Sequence, residues 1–209
     1  MVASEVDHLV YGVASLEAGI DALERSFGVR AAGGGQHLGR GTHNALLALG
    51  DGAYLEIIAP DPAQKEAPRP LPFGLDTLES PRLTGWAIRT ADLDALVSQA
   101  RAAGYDPGPI ESMERRRPDG ITLHWRLTSS VSGESSFVLP FAIDWGASPH
   151  PSASAPQGVS LLGFEIVHPH PATIESALTA LHVDVPVVHG PEPAMVAQLD
   201  TPRGRRELR

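Results

Sequence analysis

The sequence predicts an α+β fold built from repeated strand–helix–three-strand (βαβββ) units. The first observation is an internal echo. Ser15-Leu16-Glu17 recurs as Asp92-Leu93-Asp94 and again as Thr173-Ile174-Glu175, each triplet opening a helical pattern after an apolar, strand-like run. The triplets start 77 and then 81 residues apart, and the preceding strands, 83–89 and 161–167, lie 78 apart, the extra residues falling in the His168-Pro169-His170 loop. A period of about eighty exceeds that of a solenoid unit, so the echo marks repeated small subdomains. The second observation is that each helical pattern is followed by short strand-like runs. The third is that Pro- and Ser-rich segments separate the units.

Residues 5–13 carry Val6, Val10, Tyr11 and Val13 in loose alternation and read as a strand. Ser15 is a good helix N-cap, because its hydroxyl can accept from a free amide of the first turn. Leu16, Ile20, Leu23 and Phe27 then form one apolar helical face, which Gly28 ends. A strand over 30–36 runs into Gly33-Gly34-Gly35. A hairpin follows, 43–49 and 53–59 around Gly50-Asp51-Gly52. The prolines between 60 and 80 make a linker, since each fixes φ and removes a donor.

The second unit begins at Leu83. It has a strand over 85–88, a helix over 92–103 with Leu93, Leu96, Val97 and Ala100 inward, and strands over 108–115, 121–128 and 136–144. Turns fall at Asp119-Gly120 and Ser132-Gly133. After a second linker, 146–157, the third unit has a strand over 159–167, a helix over 173–181, strands over 185–189 and 195–199, and a truncated end near Glu207. The resulting division is 1–61, a linker 62–82, 83–146, a linker 147–157, and 158–209 as a partial third unit.

Composition removes several classes of function. A net charge of −9 argues against a nucleic-acid surface, which needs clustered Lys and Arg. The basic run Arg115-Arg116-Arg117 reads as a solvated strand end or loop. With no cysteine, disulfides and thiolate metal sites are ruled out. No apolar run reaches the roughly 20 residues of a membrane span, and the first residues lack a basic leader. The expectation is a cytoplasmic protein with neither membrane nor nucleic-acid partners.

Five motifs carry a family resemblance: Asp7-His8-Leu9-Val10-Tyr11, Gly34-Gly35-Gln36-His37, Gly41-Thr42-His43-Asn44, Tyr54-Leu55-Glu56-Ile57-Ile58 and Pro140-Phe141-Ala142-Ile143-Asp144-Trp145. Over roughly 5–146 the chain resembles the vicinal oxygen chelate superfamily of glyoxalase I, the extradiol dioxygenases and the bleomycin-resistance proteins, and within it the glyoxalase-like domain branch. The third unit rests on pattern only. The resemblance implies that two βαβββ modules pair into a cupped mixed sheet whose inner face can hold one divalent metal, a Lewis acid for a substrate with two neighbouring oxygens. It places ligands at His8 on the first strand and Glu56 on the last. Period-two alternation then puts Val6 and Val10 with His8, and Tyr54 and Ile58 with Glu56, on the inner face.

The second module departs from that pattern. Gly85, with Trp86 beside it, stands where His8 would, and Pro140, Phe141 and Ala142 stand near the Glu56 position; the third unit has Gly163 at the His8 position. The nearest replacement donors are His37, His43 and His124, and a three-ligand site would suit Zn, Fe, Mn or Ni. Each residue also has a plainer reading. His8 and Glu56 can simply pair with each other, because a buried unpaired carboxylate is costly. Either His43 or its neighbours Thr42 and Asn44 face inward, not all three. His124 and Arg126 share a face of one strand, where Arg126 either grips a substrate carboxylate or makes a surface ion pair. Trp86, Phe141 and Trp145 are candidates for cavity lining or for core.

Two functions follow. One is a small-molecule enzyme, a lyase, isomerase or dioxygenase of glyoxalase type, with Glu56 catalytic, His8, Glu56, His43 and His37 as metal donors, and Thr42, Asn44, Tyr54, Trp86, His124, Arg126, Phe141 and Trp145 around the substrate. The other is a metal-free small-molecule binding protein. The third unit either packs against the paired modules or covers a sheet edge in a homodimer.

Overall fold

The computed structural model describes residues 5–50, 52–116, 120–129 and 136–209. The turns expected at Asp51, Asp119 and Ser132-Gly133 fall outside these residues. The first module runs β1 (Glu5–Gly12), α1 (Leu16–Phe27), β2 (Ala32–His37), β3 (Thr42–Ala48) and β4 (Tyr54–Pro60). The second runs β5 (Arg82–Arg89), α2 (Leu93–Ala102), β6 (Ile110–Arg116), β7 (Thr122–Thr128) and β8 (Phe141–Asp144).

The helices follow from their sequences with small corrections. α1 buries Ile20, Leu23 and Phe27, and Gly28 ends it in the left-handed conformation. Ser15 stands at its N-cap, but its side chain makes no capping bond. Asp92 does cap α2, accepting from the Ala95 amide at 2.9 Å. α3 starts earlier than its acidic triplet suggests, at Pro171, because proline is pre-set for the first helical turn.

Eight strands form one sheet in the order β2-β3-β4-β1-β5-β8-β7-β6. β1 lies parallel to β4 and antiparallel to β5, so the two modules join along the β1–β5 seam and their halves are mirrored about it. The sheet curls until its edge strands approach. Arg115 on β6 donates to the Asn44 side chain on β3 at 3.1 Å, and Arg40 pairs with Glu111 across the same gap. A side chain at position 34 would meet Asn44 and Arg115 at 2.3 and 2.7 Å, so Gly34 is what allows that closure.

One register detail changes the sequence expectation. The β1–β5 ladder slips between Val6 and His8, leaving Asp7 as an extra residue in a β-bulge. Val6 therefore packs on the helix side and not with His8, while Asp7 is fully buried beside the cavity. Simple alternation cannot anticipate a bulge.

The third unit has β9 (Ser160–His168), α3 (Pro171–Ala180), β10 (Val187–His189), β11 (Ala194–Asp200) and β12 (Arg206–Leu208). The element order is that of the modules, but the pairing differs. Here the first strand sits inside the order β10-β9-β11-β12, and β12, only 3 residues long, pairs with β11 alone. Phe164 meets Trp86 edge-on at 5.0 Å, and Ile166, Ile174, Leu178, Met195 and Leu199 join the same apolar core as α1 and α2. The third unit thus packs within the chain, over the helix-bearing side, and leaves the inner face open.

Candidate functional site

The inner face of the cup encloses a cavity of about 750 Å³, within the range of small-molecule sites. Its walls are largely apolar: Ile58, Trp125, Leu127, Phe137, Leu139, Phe141, Ile143 and Trp145. One end is polar, made by His8 on β1, His37 on β2, Thr42 and Asn44 on β3, Tyr54 and Glu56 on β4, and Arg115 on β6. The proline-rich linker crosses the cavity with Pro68, Pro70, Pro72 and Phe73 lining it.

Hydrogen-bond chemistry fixes the roles at the polar end. Arginine only donates and an ionised carboxylate only accepts. Asn44 therefore turns its oxygen to Arg115 and its amide nitrogen to Glu56 Oε1. The same Asn44 nitrogen lies 3.3 Å from His37 Nε2, which must accept, so His37 carries its proton on Nδ1 and donates to Thr42 Oγ1 at 2.9 Å. Burial lowers the His37 pKa and keeps it neutral. His8 bonds Asp7 Oδ1 through Nδ1 at 2.7 Å and turns Nε2 toward Glu56 Oε2 at 3.7 Å, too far for a hydrogen bond. Tyr54 stacks on His8 with centroids 4.6 Å apart. Burial, aided by the Asp7 and Glu56 charges, raises its phenol well above the usual range, so Tyr54 stays neutral.

Four residues expected at the site lie elsewhere. Trp86 is completely buried on the helix side, with Nε1 donating to the Val138 carbonyl at 2.8 Å. His43 occupies the opposite face of β3 from Thr42 and Asn44, and the pleat decides between them. Trp125 is the β7 residue that points inward, so its neighbours point out: His124 is exposed beside Glu114, and Arg126 donates to both oxygens of Asp94 on α2. Of the basic run, Arg115 is buried in the cavity wall rather than solvated, because the curled sheet brings β6 to β3; the side chains of Arg116 and Arg117 fall outside the described residues.

Sequence reasoning missed Asp7, His150 and Phe73. Asp7 sits next to His8, where alternation would turn it away, and only the bulge brings it in. His150 comes from the linker after β8 and reaches Asp7 Oδ2 at 2.9 Å. Its one sequence signal is its place between Pro149 and Pro151, which stiffens the segment. Phe73 lies against Gly85: a Cβ at position 85 would stand 2.9 Å from two atoms of its ring.

Residues 6–182 match the family model described as the glyoxalase-like domain, and the chain belongs to that family, within the vicinal oxygen chelate superfamily. A hypothetical protein from Staphylococcus aureus shares the fold over 99% of both chains, with a TM-score of 0.70 at 12% identity. A variant of Streptomyces coelicolor methylmalonyl-CoA epimerase, in complex with 2-nitronate-propionyl-CoA, is similar over 70% of this chain and 100% of its own, at 19% identity and a TM-score of 0.47. The methylmalonyl-CoA epimerase of Mycobacterium tuberculosis is similar over 74% and 97%, at 20% identity and 0.45. No curated protein sequence matches the chain significantly.

Superfamily members often use a divalent metal, and the donor set here can be tested for one. Among the described residues no group of three His, Asp or Glu side chains could hold an ion. The Asn44 amide takes up Glu56 Oε1 and the His37 Nε2 lone pair, which leaves His8 Nε2 and Glu56 Oε2 facing the cavity. The second module contributes Gly85 and Phe141, neither of which ligates through its side chain. Two free donors fall short of the three or four that a protein-held divalent ion requires. The residues present do not fit the family's metal.

Proposed function

We propose that the protein binds a small, largely apolar organic molecule in the cleft between the paired modules, with one polar group of the ligand at His8 and Glu56. One observation carries the reading: the cavity of about 750 Å³ has largely aromatic and aliphatic walls, with a buried polar cluster around His8 and Glu56. Such a site buries most of a ligand and orients it by a few polar contacts. The reading uses no metal, and cytoplasmic sequestration of the ligand is the simplest role.

A second reading, isomerase or lyase chemistry by proton transfer, draws on Glu56. Its Oε2 receives no hydrogen bond from the described residues and faces the cavity, as a general base must. Glu56 would take a proton from the bound molecule, with Asn44 holding the other carboxylate oxygen in place.

The test is a screen of small aromatic and aliphatic compounds by thermal shift and tryptophan fluorescence. Trp125 and Trp145 line the cavity and Trp86 does not, so binding is expected to quench emission in the wild type and less in Trp125→Phe. A ligand at 100 times its Kd adds about 2.7 kcal/mol of stability. No shift in either signal with compounds at millimolar concentration would sink the reading. Product formation lost in Glu56→Gln, with binding retained, would favour the enzyme over the binder.

A further inference from the structure

Asp7 is a fully buried carboxylate with three side-chain partners, and it has no place in the scheme above. Its Oδ1 faces His8 Nδ1 at 2.7 Å, and its Oδ2 faces Trp145 Nε1 at 3.0 Å and His150 Nε2 at 2.9 Å. Burial works to raise its pKa, but the hydrogen bonds from His150 and His8 outweigh it and hold the carboxyl well below the usual range. His150 is itself anchored by Ser152 Oγ at 2.7 Å and packs edge-on against Trp145 and Tyr54. A segment outside the two modules thus reaches back and clamps the carboxylate behind His8.

An ionised carboxylate can only accept, so the three groups around it must donate. For His8 this leaves one neutral form, with the proton on Nδ1 and a lone pair on Nε2. In that neutral form the Nε2 lone pair lies 3.7 Å from Glu56 Oε2, beyond hydrogen-bond reach, and both atoms face the cleft. We propose that Asp7, clamped by Trp145 and His150, is a positioning residue that holds His8 as its Nδ1–H tautomer, so that the polar end of the cleft selects ligands whose head group donates a hydrogen, a hydroxyl or an N–H. This rests on the reading of the cleft as a ligand site. A ligand offering only an acceptor there would face two lone pairs and leave all three groups unpaired, which buried polar atoms rarely tolerate.

Substituting Asp7→Asn makes the sharpest test, because Trp145 can never accept. The asparagine oxygen must stay with Trp145 and His150, and its amide must then turn to His8 Nδ1. His8 is forced into the opposite tautomer, with Nε2–H toward the cavity.

The experiment reads the His8 ring nitrogens by long-range proton–nitrogen correlation on labelled wild type and Asp7→Asn. Alongside it, affinities of the wild type are measured for 2-naphthol and its methyl ether, 2-methoxynaphthalene. The wild type is expected to show Nδ1–H and to bind the naphthol at least ten-fold more tightly, and Asp7→Asn to show Nε2–H. An Nε2–H proton in the wild type, or equal affinity for alcohol and ether, would overturn the proposal. Should Asp7→Asn fail to fold, the wild-type spectrum and the probe pair still decide it. If neither probe binds, the head-group selection is overturned, while the cleft reading is judged by the wider screen and the spectrum judges the Asp7 clamp separately.

Discussion

Gly85 stands in the second module at the strand position that His8 holds in the first, and Phe73 fills the space beside it. No left-handed backbone is required there, so the constraint is steric: an alanine Cβ would stand 2.9 Å from Cδ1 and Cε1 of Phe73. Phe73 itself stands in the left-handed region, at φ 59°, with its ring on the cavity wall. Overpacking of this kind costs about 1–3 kcal/mol, whereas replacing a strand glycine by alanine otherwise gains roughly 0.5–1 kcal/mol. Gly85→Ala is therefore expected to destabilise the wild type by about 1–2 kcal/mol, or roughly 2–4 °C per kcal/mol in a chain of this size. With Phe73→Ala in place the obstacle is gone, and the same change should stabilise by about 0.5–1 kcal/mol. Urea denaturation of the four proteins completes the double-mutant cycle, with a coupling of about 2 kcal/mol and a change of sign. Additive effects, or a stabilising Gly85→Ala in the wild type, would refute the claim that Phe73 fills the space beside Gly85. The same collision means that Gly85→His would not restore a metal ligand.

Other outcomes follow from the site. Dialysis against Zn, Ni, Mn and Fe(II) should leave the protein without near-stoichiometric metal, and stoichiometric retention lost in both His8→Ala and Glu56→Gln would reverse that conclusion. Because burial lowers the His37 pKa, the unfolded chain takes up a proton that the folded one refuses below a pH of about 6.5. Stability should fall as the pH drops through that value, and His37→Asn should flatten the slope of melting temperature between about pH 5 and 7. His124→Ala and Arg126→Ala remove exposed ion pairs and should each change stability by less than about 1 kcal/mol, with no effect on ligand affinity measured by calorimetry.

Much of the fold was legible because it depends on local periodicity. The Leu16-Ile20-Leu23-Phe27 stripe, the strand–helix echo and the proline-rich breaks are written at spacings of a few residues, where backbone geometry decides the structure. The same alternation set Tyr54, Glu56 and Ile58 on one face of β4 and left only a choice between faces for β3. The family motifs place His8 and Glu56 on strands whose inner faces line the cavity.

What the sequence could not show are relations between distant segments. Which face of β3 and β7 turns inward depends on how the sheet curls: Thr42, Asn44 and Trp125 line the cavity, and His43, His124 and Arg126 do not. A single bulged residue put Asp7 in the interior beside His8. Arg115 looked solvated until closure of the sheet carried β6 against β3. Phe73 and His150 come from linkers, whose paths obey no period, and they meet the site only because the modules they connect have already folded. Local spacing determined the modules, and the family resemblance singled out His8 and Glu56; the curl of the sheet and the paths of the linkers decided what stands around them, because those depend on packing between residues far apart in the chain.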